Sequence, residues 1–221
     1  MINPRWVEMG FAIRCALIFV LASLALQFAA SGADGPTLFY SKSFPGSRPP
    51  YIQIALTKSG DVEYREDPKE DDPIKFRLQD SETQEIFELV EKAGSLKRPL
   101  EAKAKVAFMG TKTLRYENGG EKSEVQFNYT QDPAGQSLAD WFERISETAQ
   151  RRIDLERAAR YDKLGVVDSL LQLQISLDRK RLLAPEQFLP LLDKLANNES
   201  YMHTARARAA EVAAAIRAPK P

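Results

Sequence analysis

The hydrophobic pattern of this 221-residue chain divides near Pro133, and that division limits the folds open to it. Between Tyr51 and Tyr129 most apolar residues recur at alternate positions; from Ala134 onward they recur at helical spacing. Alternation sends successive side chains to opposite faces of a strand, so one face is buried and the other wetted. A helical stripe instead follows a period of about 3.6 residues. The two patterns cannot serve one regular layer, and a sheet followed by a helical part satisfies both.

In the first region Ile52, Ile54 and Leu56 share one face. The turn Lys58-Ser59-Gly60-Asp61 then leads to Val62 and Tyr64 on a second strand. After an acidic excursion, Ile74, Phe76 and Leu78 alternate again. Ser81 reads as an N-cap with Gln84 completing a capping box. Ile86, Phe87, Leu89, Val90 and Ala93 make the apolar stripe of a helix that Gly94 stops. Alternation resumes with Val106, Phe108, Leu114 and Tyr116, with Gly110 between them as a bulge. Asn118-Gly119-Gly120 supplies residues that tolerate positive φ and turns the chain into a strand carrying Val125, Phe127 and Tyr129. Residues 51–133 are therefore expected to form an α+β part of order β-β-β-α-β-β. Its antiparallel sheet has about five strands and is covered by a helix. Residues 34–50 contain four prolines and read as a Pro/Gly-rich arm, with Leu38 to Tyr40 pairing as a short edge strand.

Residues 134–218 are expected to form a C-terminal helical bundle. Leu138, Trp141, Phe142, Ile145, Ala149, Ile153, Leu155, Ala159 and Leu164 fit one helix of about 30 residues, or a kinked pair, ending at Gly165. The stretch 166–177 suits either element: Leu171, Leu173, Ile175 and Leu177 alternate like a strand, while Val167, Leu170, Leu171, Gln174 and Leu177 lie on one side of a helix. Its helical neighbours favour the helix. Pro185 fits a first helical turn, and Pro190 should kink or restart the helix it enters. Asn197-Asn198 breaks the chain before a last helix whose inner face is Tyr201, Met202, Ala205, Ala209, Val212 and Ile216.

Residues 1–33 carry the three parts of a signal peptide. Arg5 and Arg14 supply the positive charge, Cys15 to Ala30 is an uncharged run of 16 residues, and Ser31-Gly32-Ala33 supplies the small residues of a cleavage site. Cleavage is expected after Ala33, with Ser31 as the second choice. A membrane span needs about 20 apolar residues, so this run is short for one, and an uncleaved N-terminal anchor is the alternative. Export places the mature domain in the periplasm or outside the cell. Arg5, Arg14 and Glu8 leave with the segment, so the 31 basic and 31 acidic residues become 29 and 30, and the only cysteine, Cys15, is lost. A neutral, cysteine-free domain has no long-range attraction to nucleic acid or, after signal cleavage, to a membrane. It also has no disulfide, reactive thiol or Cys-based metal site.

The residues that carry chemistry elsewhere are sparse. His203 is the only histidine, lacks an evident nucleophile and orienting partner, and reads as a solvated residue at a helix flank. Glu66, Asp67, Glu70, Asp71 and Asp72 lack the spacing and the glycine of a calcium loop, and Pro68 and Pro73 oppose wrapping; a solvated loop is expected. Arg151-Arg152 and Arg179-Lys180-Arg181 lie among Asp154, Glu156 and Asp178, which points to ion pairs. Two sequons occur, at Asn128 and Asn198. No phosphate-binding glycine loop, nucleophile elbow or zinc-protease motif occurs, so no catalytic, cofactor-binding or metal residue is assigned and no cofactor is expected.

The run YIQIALTKSGDVEYRE, DSETQEIFELVEKAGSL, TLRYENGG and EVQFNYTQDPAGQSLADWFERI, within residues 51–145, resembles emfourin-type protealysin inhibitors in its order of elements. The resemblance implies an inhibitor-like domain with a protein partner. The chain lacks the Gly-Gly-Phe segment of that family's first strand, and no inhibitory residue transfers by position. FLPLLDKLANNESYMHTARARAAEVAAAI is similar to one HEAT-like helix pair, which alone cannot form a solenoid and should pack on the long helix. The expectation is an exported binding or structural protein that engages a protein partner and is not an enzyme. A carboxylate-dependent hydrolase is the alternative, to be distinguished by a pocket where two carboxylates converge.

Overall fold

The strand at the centre of the sheet is one that the prolines of residues 34–50 obscure. In the computed structural model, which describes residues 35–218, strand β1 (Thr37–Ser43) pairs antiparallel with β2 (Tyr51–Thr57) on one side and β5 (Thr111–Asn118) on the other. The arm with a short edge strand is thereby corrected to an interior strand whose Leu38 and Tyr40 lie in the core. The prolines flank β1 without entering it, so every ladder donor is retained. The expected signal segment 1–33 lies outside the described residues.

With β3 (Asp61–Arg65), β4 (Ile74–Arg77) and β6 (Glu121–Phe127), the sheet has six antiparallel strands in the order β4-β3-β2-β1-β5-β6. The fold class is α+β, with a C-terminal helical region. Helix α1 (Asp80–Lys92) buries Ile86, Phe87 and Val90 in the sheet's core. Its cap differs from the expected Ser81: Gln79 is the N-cap, and its backbone N–H donates to Glu82 Oε2 at 2.9 Å. The chain enters the helix two residues earlier because Glu82 is three residues beyond Gln79, the spacing a capping box requires.

Helix α2 (Pro133–Tyr161) is one helix of 29 residues, about 43 Å long, capped by Asp132 Oδ1 accepting from Gly135 N at 2.9 Å. Its first half places Leu138, Trp141, Phe142, Ile145 and Ala149 in the sheet's core, and its second half places Leu155 and Ala158 in a separate helical core. Helix α3 (Val166–Asp178) resolves the ambiguous stretch as helical. Pro185 opens a 3-10 turn through Phe188, and Pro190 lies in the first turn of α4 (Leu189–Ala196), so the helix restarts there. Helix α5 (His203–Arg217) buries Ala205, Ala209, Val212, Ala213 and Ile216. Met202, expected inside, is exposed because it caps the helix as N-cap and precedes its first turn. Helices α4 and α5 pack on α3 and on the end of α2, where the Tyr201 hydroxyl donates to Ala159 O at 2.8 Å.

The two cores are stitched behind α2. Leu183 enters the sheet's core, its backbone N–H donates to Thr148 Oγ1 at 3.0 Å, and Arg181 holds Glu147 and Asp140 of α2 at 3.1 and 2.6 Å.

Candidate functional site

The inward face of β1 reads Leu38, Tyr40, Lys42, and that of β5 reads Lys112, Leu114, Tyr116. Antiparallel register sets Tyr40 opposite Leu114 and Lys42 opposite Lys112. The hydrocarbon face of the sheet therefore ends in two lysines on neighbouring strands. Helix α2 passes above them. Phe142 stacks on the Tyr40 ring with centroids 4.7 Å apart, and the next residue, Glu143, takes the Lys42 ammonium at 3.4 Å.

Lys112 is only 6% exposed. Its Nζ donates to Asn128 O at 2.9 Å and lies 6.0 Å from the centre of the Phe127 ring. Burial, and secondarily the neighbouring Lys42 charge, hold its pKa below the ordinary lysine value, against opposing pulls from Glu143 and Glu101. Burial, aided by Glu143, holds the Tyr40 phenol far above its ordinary value. The Tyr40 hydroxyl is buried and finds no hydrogen-bond partner among the described residues.

Glu143 stands between two pockets. One, of about 340 Å³, is lined by Lys42, Ser47, Arg48, Ile52 and Gln150; the other, of about 240 Å³, by Met109, Lys112, Phe127, Asn128 and Asp140. Their lip is formed by the β1–β2 loop and by residues 101–110 leading into β5. Phe44 meets Phe108 edge-on at 5.9 Å, and Val106, Phe108 and Met109 are 41, 56 and 44% exposed. The Val106–Phe108 alternation expected as a strand is thus a loop, because its apolar side chains face solvent and find no sheet neighbour. Asn128 holds that loop in place, its Oδ1 accepting from Met109 N at 2.7 Å and its Nδ2 donating to Ala107 O at 3.1 Å. Gly110 is a φ +97° residue packed on Phe44, not a bulge inside a strand.

The residues singled out from sequence lie elsewhere. His203 stands exposed on the first turn of α5. The acidic stretch forms the connection between β3 and β4, where Asp67 to Asp72 are exposed and Glu66 is partly so. Among the described residues, no three His, Cys, Asp or Glu side chains converge in a metal-binding group. Arg151 pairs with Asp154 at 3.8 Å and Arg152 with Glu156 at 2.8 Å. Of the two sequon asparagines, Asn128 fixes the lip, and Asn198 Oδ1 accepts from Ser200 N at 2.9 Å. Lys42, Lys112, Tyr40 and Glu143 were not identified from sequence. The available signal was parity: Lys42 continues the alternation of Leu38 and Tyr40, and Lys112 precedes Leu114 and Tyr116 in the same phase.

No protein-family model matches the chain, and a search of curated proteins finds no significant relative.

Proposed function

We propose that the chain is an exported binding protein that engages a protein partner through the lip at the Lys42–Lys112 end of its sheet. The observation that carries this reading is the cluster of exposed apolar side chains Val106, Phe108 and Met109, on a loop that Asn128 holds in place, with the half-buried Phe44 against the Phe108 ring. Loops held by the fold while presenting aromatic and Met side chains to water are characteristic of surfaces that receive another protein. The resemblance to inhibitor domains implies a protein partner as well. Export rests on residues 1–33. Binding is favoured over carboxylate catalysis because the acids around the pockets are engaged: Glu143 by Lys42, and Asp140 and Glu147 by Arg181.

The test compares the tagged full chain with its Phe108→Ser, Met109→Ser form, both cross-linked in the exporting cell and isolated. Exposed positions away from caps and strain usually change stability within about 0.5 kcal/mol, so the double variant should remain folded. A protein recovered with the parent should fall on the order of tenfold with the variant, the loss typical of removing an apolar anchor. Equal recovery of the same proteins by both forms would overturn the proposal.

A further inference from the structure

We infer that the partner segment received at this lip presents an aspartate or glutamate side chain beside an apolar one, the carboxylate seating on the Lys42 and Lys112 amines. The inference rests on the protein-partner reading above and adds the chemistry of the partner.

The charges do not balance where the sheet's apolar face ends. Like charges directly opposite each other on neighbouring strands are unfavourable, and Lys42 and Lys112 are such a pair. An ammonium group has three donors, and a buried one needs them satisfied or a counter-charge beside it. Lys112 has one carbonyl, Asn128 O, and no carboxylate of the described residues lies within ion-pair distance of it. Glu143 and Glu101 both act on it from a distance, yet Glu143 pairs with Lys42 with its side chain 45% exposed, and Glu101 Oε2 accepts from Asn128 N at 2.6 Å. Asp140 and Glu147 both pair with Arg181, which balances one of the two charges, and neither lies within ion-pair distance of Lys42 or Lys112. The Tyr40 hydroxyl adds a buried donor without an acceptor.

The loops reinforce the same sign. Arg48 lines one pocket, and Lys103 and Lys105 are exposed on the 101–110 loop beside one exposed acid, Glu101; helix α2 adds the exposed Glu143 and Asp140, the latter paired with Arg181. A mouth of this kind attracts negative charge and orients it before contact. The mixed character of the surface selects the ligand further. Met109 lines the Lys112 pocket, and Phe44, two residues beyond Lys42, meets Phe108, so a segment that alternates a carboxylate with an aromatic or aliphatic side chain fits both parts. Glu143 illustrates the fit: its carboxylate already pairs with Lys42, and it lines both pockets. A partner carboxylate would join or displace it, giving Lys112 the counter-charge it lacks.

A random peptide library displayed on phage, selected against the full chain, tests the inference. Enriched peptides should carry Asp or Glu next to an aromatic or aliphatic residue. The best of them, synthesised with its acid replaced by the corresponding amide, should bind on the order of tenfold more weakly, the loss expected when a buried charge pair is broken. Lys112→Met should weaken the acidic peptide by a similar factor and leave the amide analogue unchanged. Glu143→Gln should act in the opposite direction and tighten the acidic peptide several-fold, because it removes the competitor for Lys42. A structural role alone would not produce that reversal, and the Glu143→Gln result stands even if Lys112→Met fails to fold. Enriched apolar peptides without acids, still lost on Phe108→Ser, Met109→Ser, would overturn the carboxylate inference while the binding surface stands. The same holds if binding of the synthetic peptide depends on its free C-terminal carboxylate and is lost on amidation of that end while the side-chain acid is dispensable. Peptides indifferent to the lip variant, or no enrichment, would overturn both readings.

Discussion

Lys112 keeps an ammonium group where the neighbouring positions on β5 and β1 bury Leu114 and Tyr40. Desolvation disfavours its charged form, and Lys42 across the ladder disfavours it further. The consequence for stability has a definite sign. The folded-state pKa lies below the unfolded value, so between the two the unfolded chain binds more protons than the native one. The penalty is fully present below the folded pKa and is relieved as pH rises through it toward the unfolded value of 10.5. Urea unfolding of the parent and of Lys112→Met, followed from pH 7 to pH 10, should show the parent gaining on the variant as pH rises. A difference that stays constant across that range would mean that Lys112 titrates alike in both states. Lys42, Glu143 and Glu101 are present in both proteins but are coupled to Lys112, so the difference between parent and variant includes that coupling.

At the scale of elements, the loop before β5 depends on a residue that cannot carry a side chain. Gly110 has φ +97°, and a Cβ there would come within 2.9 Å of Phe44 Cβ and 3.0 Å of Ser43 O. Gly110→Ala should therefore cost about 1–3 kcal/mol, read by denaturant titration, through backbone strain and displacement of the Phe44 lip. A loss below the error of the titration would show that the loop relaxes freely. The elements that sequence pattern revealed are those whose apolar face is local and whose ends carry turn chemistry. The β2–β3 hairpin, the α1 stripe, the β5–β6 hairpin at Asn118-Gly119-Gly120 and the long α2 all qualify. Strand β1 escaped because the prolines at 36, 45, 49 and 50 dominate its surroundings, although none breaks its ladder. The loop at 106–108 mimicked a strand because alternation reports side-chain order and says nothing of what covers it. The site was less legible than either. Lys42 faces Lys112 only because β1 pairs with β5, 70 residues further along, and no local pattern reports that pairing.

Two cores share one long helix, and the whole molecule should unfold accordingly. The sheet's core takes the first half of α2 and the helical core takes its second half, with Leu183 and the Thr148–Leu183 bond closing the gap between them. Opening either core strips one half of the helix of its packing, and the fraying of that half reaches the other because isolated helices gain little from local propensity and depend on tertiary packing. Leu173 is fully buried in the helical core, on α3, and makes no part of the sheet's core. Leu173→Ala should remove about 2–5 kcal/mol, the cost of a large-to-small change in a packed interior. Its effect can be read in the other core through Trp141, which is 7% exposed and belongs to the sheet side of α2. In a Trp6→Phe background Trp141 is the only tryptophan, so its fluorescence follows the sheet side alone. If the cores are coupled through α2, the fluorescence midpoint and the far-UV circular dichroism midpoint should coincide in the parent and shift together in Leu173→Ala. A fluorescence midpoint that stays in place while helical signal is lost at lower denaturant would show two independent units joined by a helix that frays at its middle.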